Sequence, residues 1–508
     1  MAADGARRLR WPERIRGSGW ALINSAMFKV LRVLDVMSGA VLLLIAVVGP
    51  WMLGTTTRET IWALNSLGFL SGGLWIAQRV LRSRGSAGRQ PPVEYPGARW
   101  PVACVWVLVI TLLGYVLCSA LNPKASLQYT FTPGYPFASG VDVDYLDPIE
   151  WLPQSHDRDR TLRAFWKYLA IVFSFAAARD WLMGSSRRER RSDVGTPRFP
   201  GDRMQWLLWT LAINAAAVSL VGMLQRLDGT QALLWTFANH MNGGQGAFGP
   251  FPYRSSGAQY LNLMWPVTLG FWWVLRRRNV ARRSVSNRSG GDPHVLLLVL
   301  AVLTAAGVVV ANCRGGFLVL VGLLVAVFAL LMFWSKRQAG FRLGVVAAIL
   351  AVLGVGGWLG GEAMMARFRS EDLSGMSGRK LIYEDTARMA QDFAVFGSGA
   401  ETFAPLYYFY RHKDPEWNAY VHDDYLETRV TFGTVGFVII LMIFLAVWLV
   451  PFFGNGIPAP PEFILLIGVA MVGILIHAKS DLPFQIYSIH SQFVLLCAVL
   501  TSLKWQGR

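Results

Sequence analysis

The 508-residue sequence has few of the features by which secreted and metal-binding proteins are recognised. It contains four cysteines whose spacing forms no paired pattern, so we expect neither a disulfide framework nor a cysteine metal site. No repeat of fixed period is evident. The first long apolar segment is not followed by a small-residue cleavage site of convincing form, and we therefore expect it to be retained as a helix.

The sequence also lacks the basic and aromatic surface that a nucleic-acid-binding protein needs, although its net charge is +17. Its basic residues lie between long apolar segments, which is the placement typical of membrane topology signals. Hydrophobic residues make up 54% of the chain, above the share found in ordinary soluble domains. Composition therefore predicts an integral membrane protein that is surrounded by the lipid bilayer and has no nucleic-acid partner.

Twelve apolar segments approach or reach the roughly 17 to 25 residues that a helix needs to cross a bilayer. The sequence therefore predicts an all-α polytopic membrane protein with about twelve transmembrane helices. The segments are 36–53, 61–80, 102–121, 164–182, 207–224, 260–275, 295–310, 317–334, 343–359, 435–450, 463–477 and 488–503.

The charges on the connecting segments predict which side of the membrane each segment faces. If every helix crosses once, one side collects most of the 48 Lys and Arg but a minority of the 31 Asp and Glu, and we expect it to be cytoplasmic, with both termini. Residues 1–35 then form a basic arm at the membrane surface, and residues 36–508 form a single transmembrane domain. The external segments 122–163, 225–259 and 360–434 are expected to fold as caps.

The third external segment carries the densest set of polar and aromatic groups. Gly397 and Gly399 permit a tight turn, and residues 407–410 (Tyr-Tyr-Phe-Tyr) offer aromatic faces on which a sugar could stack. Residues 422–424 (His-Asp-Asp) follow just before a helix, and histidine is the side chain that exchanges a proton near neutral pH. The segment is either a ligand site or an ordinary loop in which one aspartate caps the helix.

Two arginines are expected on the same external side. Arg314 follows the seventh apolar segment, and because a charge at the bilayer centre costs about 2.5 to 3.5 kcal/mol, it should lie at the interface or in a polar cavity. The adjacent Gly315 and Gly316 favour close approach of backbone or ligand, although a snorkelling arginine fits the same pattern. Arg254 lies just before the sixth segment, and two guanidinium groups there could bind a pyrophosphate through paired hydrogen bonds.

Further polar residues are expected on this side. Arg379 lies on a predicted amphipathic helix. His477 and Asp481 are four residues apart and could hydrogen-bond, which would fix the tautomer of the histidine, or could form a structural polar pair. Residues 156–159 contain one histidine and two aspartates but match no metal-ligand spacing, so we expect no metal.

Four short motifs stand at the external ends of the predicted helices: NCRGG (312–316), GSGAETF (397–403), VHDDYLE (421–427) and HAKSDLPFQ (477–485). Together they resemble the O-antigen ligase and O-antigen polymerase superfamily, which assembles bacterial envelope polysaccharides. The resemblance implies a helical fold of the GT-C-like class in the bacterial inner membrane, with a periplasmic active site. It also implies a donor glycan carried on undecaprenyl diphosphate, a lipid or glycan acceptor, and no metal or cofactor.

In that superfamily two arginines and one histidine outside the membrane are essential, and they correspond to Arg254, Arg314 and His422 here. The resemblance implies that the arginines stabilise the diphosphate leaving group while His422 activates an acceptor hydroxyl. Four residues are expected to support this site, the first of them by orienting the histidine: Asp424, Arg379, His477 and Asp481.

The resemblance leaves two reactions open, because a ligase transfers the glycan to the lipid A core whereas a polymerase extends another lipid-linked chain. A transporter or flippase is the alternative outside the superfamily, since twelve helices with an external cap would also suit one. The apolar segments are largely uninterrupted, however, and the unusual charges collect at one interface rather than at the midplane. This distribution favours glycosyl transfer over transport.

Overall fold

The computed structural model describes residues 13–84, 98–131, 138–184, 199–230, 232–238, 246–283, 294–334, 339–369, 374–412 and 419–506. Within these residues the chain is mostly helical, which confirms the predicted helical class. The helices of the described part are numbered α1 to α14 in chain order: Glu13–Trp51, Arg58–Arg84, Trp100–Leu121, Arg158–Met183, Asp202–Asp228, Arg254–Arg283, His294–Val310, Arg314–Trp334, Ala339–Arg369, Ser374–Asp392, Phe403–Tyr410, Asp424–Phe453, Pro461–Ala478 and Tyr487–Thr501.

Each of the twelve predicted apolar segments overlaps one of these helices. Among the described residues, eight helices are long and apolar enough to cross a membrane: α1 to α5, α9, α12 and α13. Helices α7, α8 and α14 are apolar but shorter. Large apolar side chains face outward on these helices, and Trp358 on α9 is 85% exposed. Because such a surface suits lipid rather than water, the chain is a multi-pass membrane protein. That all twelve segments cross stays a prediction.

Helix α6 lies at the centre of the bundle. It packs against α5, α7, α8 and α13, and Tyr260, Leu261 and Phe271 on it are fully buried. A helix enclosed on all sides needs apolar residues around most of its circumference, which explains why segment 260–275 is largely apolar. Because α6 begins at Arg254, this arginine lies among the ends of the surrounding helices.

The two ends of α6 carry different partners. At the end opposite Arg254, Arg277 forms an ion pair with Glu462 at 3.2 Å. Because an α-helix rises 1.5 Å per residue, Arg254 and Arg277 lie about 35 Å apart along the helix axis. This separation exceeds the hydrocarbon thickness of a bilayer, about 30 Å. The basic segments 187–191 and 336–337, which contribute to the predicted cytoplasmic charge, lie outside the described residues, as do residues 1–12 of the predicted arm.

The first external segment contains strands, which the all-α prediction did not include. Strands β1 (Ala125–Phe131) and β2 (Ala138–Tyr145) form an antiparallel hairpin in which Leu127 pairs with Val143. Apolar and polar residues alternate along both strands, as expected for a half-buried sheet. Two three-residue strands, β3 (Ile457–Ala459) and β4 (Leu503–Trp505), pair in parallel. The segment predicted to be the first cap thus contains a β-hairpin, and its position outside the membrane stays a prediction.

Helix α12 begins earlier than the apolar pattern indicated, at Asp424 rather than near residue 435, and it kinks at Gly433. Gly433 has φ 61°, and a Cβ at this position would lie 2.3 Å from the carbonyl oxygen of Val395. Gly397 packs against the backbone at this kink. Its φ of 72° lies in the left-handed region that favours glycine, as the predicted tight turn requires. Both positions require glycine because two backbones touch there.

Candidate functional site

A histidine and an aspartate from distant parts of the sequence meet at the Arg254 end of the bundle. The Nδ1 atom of His422 lies 3.2 Å from Oδ1 of Asp481. The Asp481 side chain is 4% exposed, whereas that of His422 is 26% exposed. The Nε2 atom of His422 has no hydrogen-bond partner within the described ranges. The carboxylate therefore orients the imidazole ring through Nδ1, and Nε2 of the partly exposed histidine is not used in this contact.

The backbone around His422 is tightly held. Its φ is 60°, a conformation that few residues other than glycine adopt. Tyr383 donates to the carbonyl oxygen of His422 at 3.0 Å, and Glu427 accepts the amide hydrogen of the preceding residue at 3.1 Å. Asp423 caps α12 by accepting from the amides of residues 425 and 426. The capping interpretation of this segment is therefore confirmed, and the ligand site stays a prediction.

Asp481 is contacted by three side chains. Ser255 donates its hydroxyl hydrogen to Oδ2, and Nε2 of His477 lies 3.9 Å from the same oxygen, too far for the hydrogen bond that the spacing suggested. Burial alone raises the pKa of Asp481, but the hydrogen bond from His422 and the charges of His477 and Arg379 outweigh it and hold the pKa below its usual value. The carboxylate is therefore ionised at neutral pH.

Arg379 on α10 covers this pair. Its guanidinium group donates to the carbonyl oxygen of Ser480 at 2.9 Å and to the hydroxyl of Tyr253 at 3.2 Å. Burial alone lowers the pKa of Arg379, but Tyr253 and Asp481 raise it above its usual value. The ring of Tyr253 in turn lies 6.0 Å from that of His422. The amphipathic helix predicted from the sequence thus places its arginine against the site.

Arg314 is the first residue of α8, and its guanidinium group binds the end of α9. Its Nε atom donates to the carbonyl oxygen of Arg367 at 2.8 Å, and Nη2 donates to the same oxygen. A Cβ at Gly316 would lie 2.6 Å from the Cβ of Ala258, and a Cβ at Gly315 would lie 3.2 Å from Nε2 of His477. The glycine pair therefore serves close backbone packing, which brings Arg314 to the site.

Arg254, at the start of α6, lies within electrostatic range of Arg314 and Arg367. Ser255, the next residue, bonds to Asp481, so the arginines adjoin the histidine and aspartate pair. Tyr253, Ser255 and Arg367 were not predicted as site residues. The first two adjoin Arg254 in sequence, and this adjacency was the available signal.

Asp424 lies on the inner side of the site. Its Oδ2 atom accepts from the amide of Phe484 at 2.9 Å, in the loop between α13 and α14 that also carries Asp481. The carboxylate that contacts His422 is therefore Asp481. Deeper still, Lys167 on α4 forms an ion pair with Glu401. Sequence reasoning missed this pair, although a lysine inside an apolar segment was a visible signal.

The aromatic stretch is only partly available for sugar stacking. Tyr407 is fully buried and stacks on Phe403, so the prediction of a free aromatic face is wrong for this residue. The helix α11 turns successive side chains by about 100°, which sends Tyr407 inward and leaves Phe409 40% exposed. Arg411 lies over the ring of Tyr408 at 4.7 Å.

Comparison with known proteins gives one match. Residues 299–441 match a family model described as O-antigen ligase, and this region contains Arg314, Arg379 and His422 but not Arg254 or Asp481. No curated protein and no solved structure matches the chain. The resemblance drawn from the four sequence motifs is thus confirmed, and the chain carries, at residues 299–441, a region of the O-antigen ligase superfamily.

Proposed function

We propose that this protein catalyses glycosyl transfer at the periplasmic face of the bacterial inner membrane. The donor is a glycan carried on undecaprenyl diphosphate, and an acceptor hydroxyl replaces the diphosphate at the anomeric carbon, as in an O-antigen ligase. The observation that carries the proposal is the contact between the partly exposed His422 and the buried Asp481, which lies beside a group of arginines.

His422 serves as the general base in this reaction. The acceptor oxygen forms a bond to the anomeric carbon, and its proton passes to Nε2 of His422. Asp481 is a positioning residue, because it accepts from Nδ1 and thereby leaves Nε2 as the nitrogen that receives the proton. General base catalysis of this kind contributes roughly 10² to 10⁴ in rate.

Arg254 and Arg314 stabilise the leaving group. As the bond between the anomeric carbon and the phosphate oxygen breaks, the electron pair and the negative charge pass to the diphosphate. Guanidinium groups bind phosphate oxygens through forked hydrogen bonds, and their attraction to the diphosphate grows as its charge increases. Arg379 is held beside His422 and supplies a further positive charge near the reacting groups.

The position of the site suits an amphipathic donor. The polyprenyl chain can lie among the outward-facing apolar side chains of the bundle, while the diphosphate reaches the ends of α6 and α8. The β1–β2 hairpin and α10 to α12 supply a polar and aromatic surface above them for the sugars. A transporter would instead need its polar site near the bilayer midplane.

Glycan transfer by the purified protein tests the proposal. The protein is mixed with a lipid-linked oligosaccharide and an acceptor, without ATP, metal ion or ion gradient, and the products are separated on a gel. Glycan on the lipid A core identifies a ligase, and a ladder on the lipid carrier identifies a polymerase. His422→Ala and Arg314→Ala are expected to abolish transfer in both cases.

The controls remove equivalent groups from the same external segments. His412→Ala removes an exposed histidine and Arg388→Ala an exposed arginine on α10, and both variants are expected to transfer glycan at the wild-type rate. Correctly folded His422→Ala protein that transfers glycan at the wild-type rate would contradict the assigned base. Glycan movement across the bilayer without a covalent product would favour the transporter.

A further inference from the structure

Arg226 is a partly buried arginine that has no role in the proposed reaction as described so far. It lies in the last turn of α5, and its Nε and Nη2 atoms are buried without a hydrogen-bond partner in the described part of the chain. Arg314 and Arg379 at the same end of the bundle, by contrast, both donate to protein oxygens. Donor atoms that are withdrawn from water and left without acceptors cost free energy, so the folded chain holds Arg226 in an unfavourable state.

The electrostatic surroundings of Arg226 are also unfavourable. The charges that act on it come from Arg254 and Arg367, and Arg254 is also within range of Arg314. The carbonyl groups at the end of α5 offer a partial negative charge, but no hydrogen bond joins them to the buried Nε and Nη2 atoms. Several guanidinium groups are thus gathered where an anion with many oxygen atoms would neutralise them.

We propose that Arg226 binds the diphosphate of the lipid-linked donor together with Arg254. This inference rests on the proposed function, which supplies the diphosphate. Two linked phosphates offer oxygen atoms in several directions, so they can accept from guanidinium groups on different helices. Arg226 then binds the leaving group from the α5 side, while Arg254 and Arg314 bind it from α6 and α8.

Binding of undecaprenyl diphosphate without sugar to the purified full-length protein tests this role. The probe contains no glycan and no acceptor, so an effect on its affinity cannot arise from charges on either of them. Arg226→Gln is expected to weaken binding about tenfold to hundredfold, the loss that corresponds to one or two charge-assisted hydrogen bonds. Arg226→Lys should recover part of the affinity, and Arg388→Gln, the matched control, should bind as the wild type does.

Thermal unfolding without ligand separates a ligand-binding role from a structural one. Removing an unpaired charge from among other arginines should leave the unfolding temperature of Arg226→Gln unchanged or raise it, and a structural arginine would lower it. Inorganic pyrophosphate, tested as a competitor, shows whether the diphosphate alone is recognised, and displacement of the lipid probe by it is expected.

Three results would overturn the inference: wild-type protein that does not bind the probe, equal affinity of Arg226→Gln and wild type, or a lowered unfolding temperature of Arg226→Gln with unchanged affinity. The proposed function fails separately. If the wild type binds the probe through Arg226 but transfers no glycan to any acceptor, the diphosphate site stands and the transferase assignment is wrong.

Discussion

Replacing Asp481 by asparagine removes the negative charge behind His422 while keeping the side-chain shape. The carboxylate is almost fully buried and accepts from Nδ1 of His422, from the hydroxyl of Ser255 and from the amide of Leu482. An asparagine can still place its oxygen toward Nδ1, so the protein should fold. It no longer enforces one tautomer of the imidazole, nor does it stabilise the imidazolium that forms when the acceptor hydroxyl loses its proton.

The expected loss is large for turnover and small for binding. A hydrogen bond to a charged group is worth about 1.5 to 3 kcal/mol, which alone corresponds to roughly tenfold to hundredfold in rate. Loss of the correct tautomer adds to this, so we expect kcat for glycan transfer to fall by about 10² to 10⁴. The KM for the donor should change little, because the donor's diphosphate binds at Arg254 and Arg314 rather than at Asp481.

The assay is steady-state glycan transfer by purified protein at several donor concentrations, with thermal unfolding measured on the same samples. Asp392→Asn is the control, since Asp392 is an exposed carboxylate on α10 that accepts from the hydroxyl of Tyr410 at 2.7 Å. It should retain wild-type kcat. A folded Asp481→Asn protein with wild-type kcat would refute the role of Asp481 in positioning His422.

Three further predictions concern stability, each measured by thermal unfolding of the purified protein. Gly433→Ala should destabilise the fold by at least about 2 kcal/mol, because Gly433 has a backbone conformation that favours glycine and the added methyl group would clash with the backbone. Gly357→Ala is the control, since Gly357 on α9 has open space around it, and it should not destabilise the fold. Burial lowers the pKa of His156 to about 4, so the folded state favours the neutral imidazole. The free energy of unfolding should therefore fall by about 2 kcal/mol when the pH is lowered from above 6.5 to 5, because the unfolded state binds the proton more tightly. The same acidification should destabilise the His156→Gln variant less. Asp423→Ala should lower the free energy of unfolding by about 1 kcal/mol, because it removes the helix cap. Lys479→Met removes only the ion pair between Asp423 and the exposed Lys479, so it should lower the free energy of unfolding less. Equal losses in the two variants would contradict this order.

The helices were predictable because crossing a membrane is a local property of the sequence. An apolar segment of sufficient length carries its own backbone hydrogen bonds and needs no knowledge of its neighbours, so all twelve segments were recovered as helices. The start of α12 was misplaced because Asp423 caps a polar turn that hydropathy does not register. The hairpin was missed because hydropathy detects long apolar segments, and the strands of the hairpin alternate apolar and polar residues.

The candidate site residues could be selected from the sequence, but their arrangement could not. Arg254, Arg314 and His422 were selected by motif and by their positions at predicted helix ends. The sequence could not show that His422 bonds to Asp481 rather than to Asp424, since both aspartates are close to helix ends and the choice depends on which loop folds beneath the histidine.

The sequence by itself determined the membrane environment, the helical class and the resemblance to the O-antigen ligase superfamily, because apolar length, charge placement and short motifs are all read along the chain. Only the tertiary structure decided which carboxylate contacts His422 and that Tyr407 is buried. It also showed that the buried Nε and Nη2 atoms of Arg226 have no acceptor among the described residues. These facts depend on contacts between helices far apart in sequence, and such contacts are set by packing around α6, which no local pattern records.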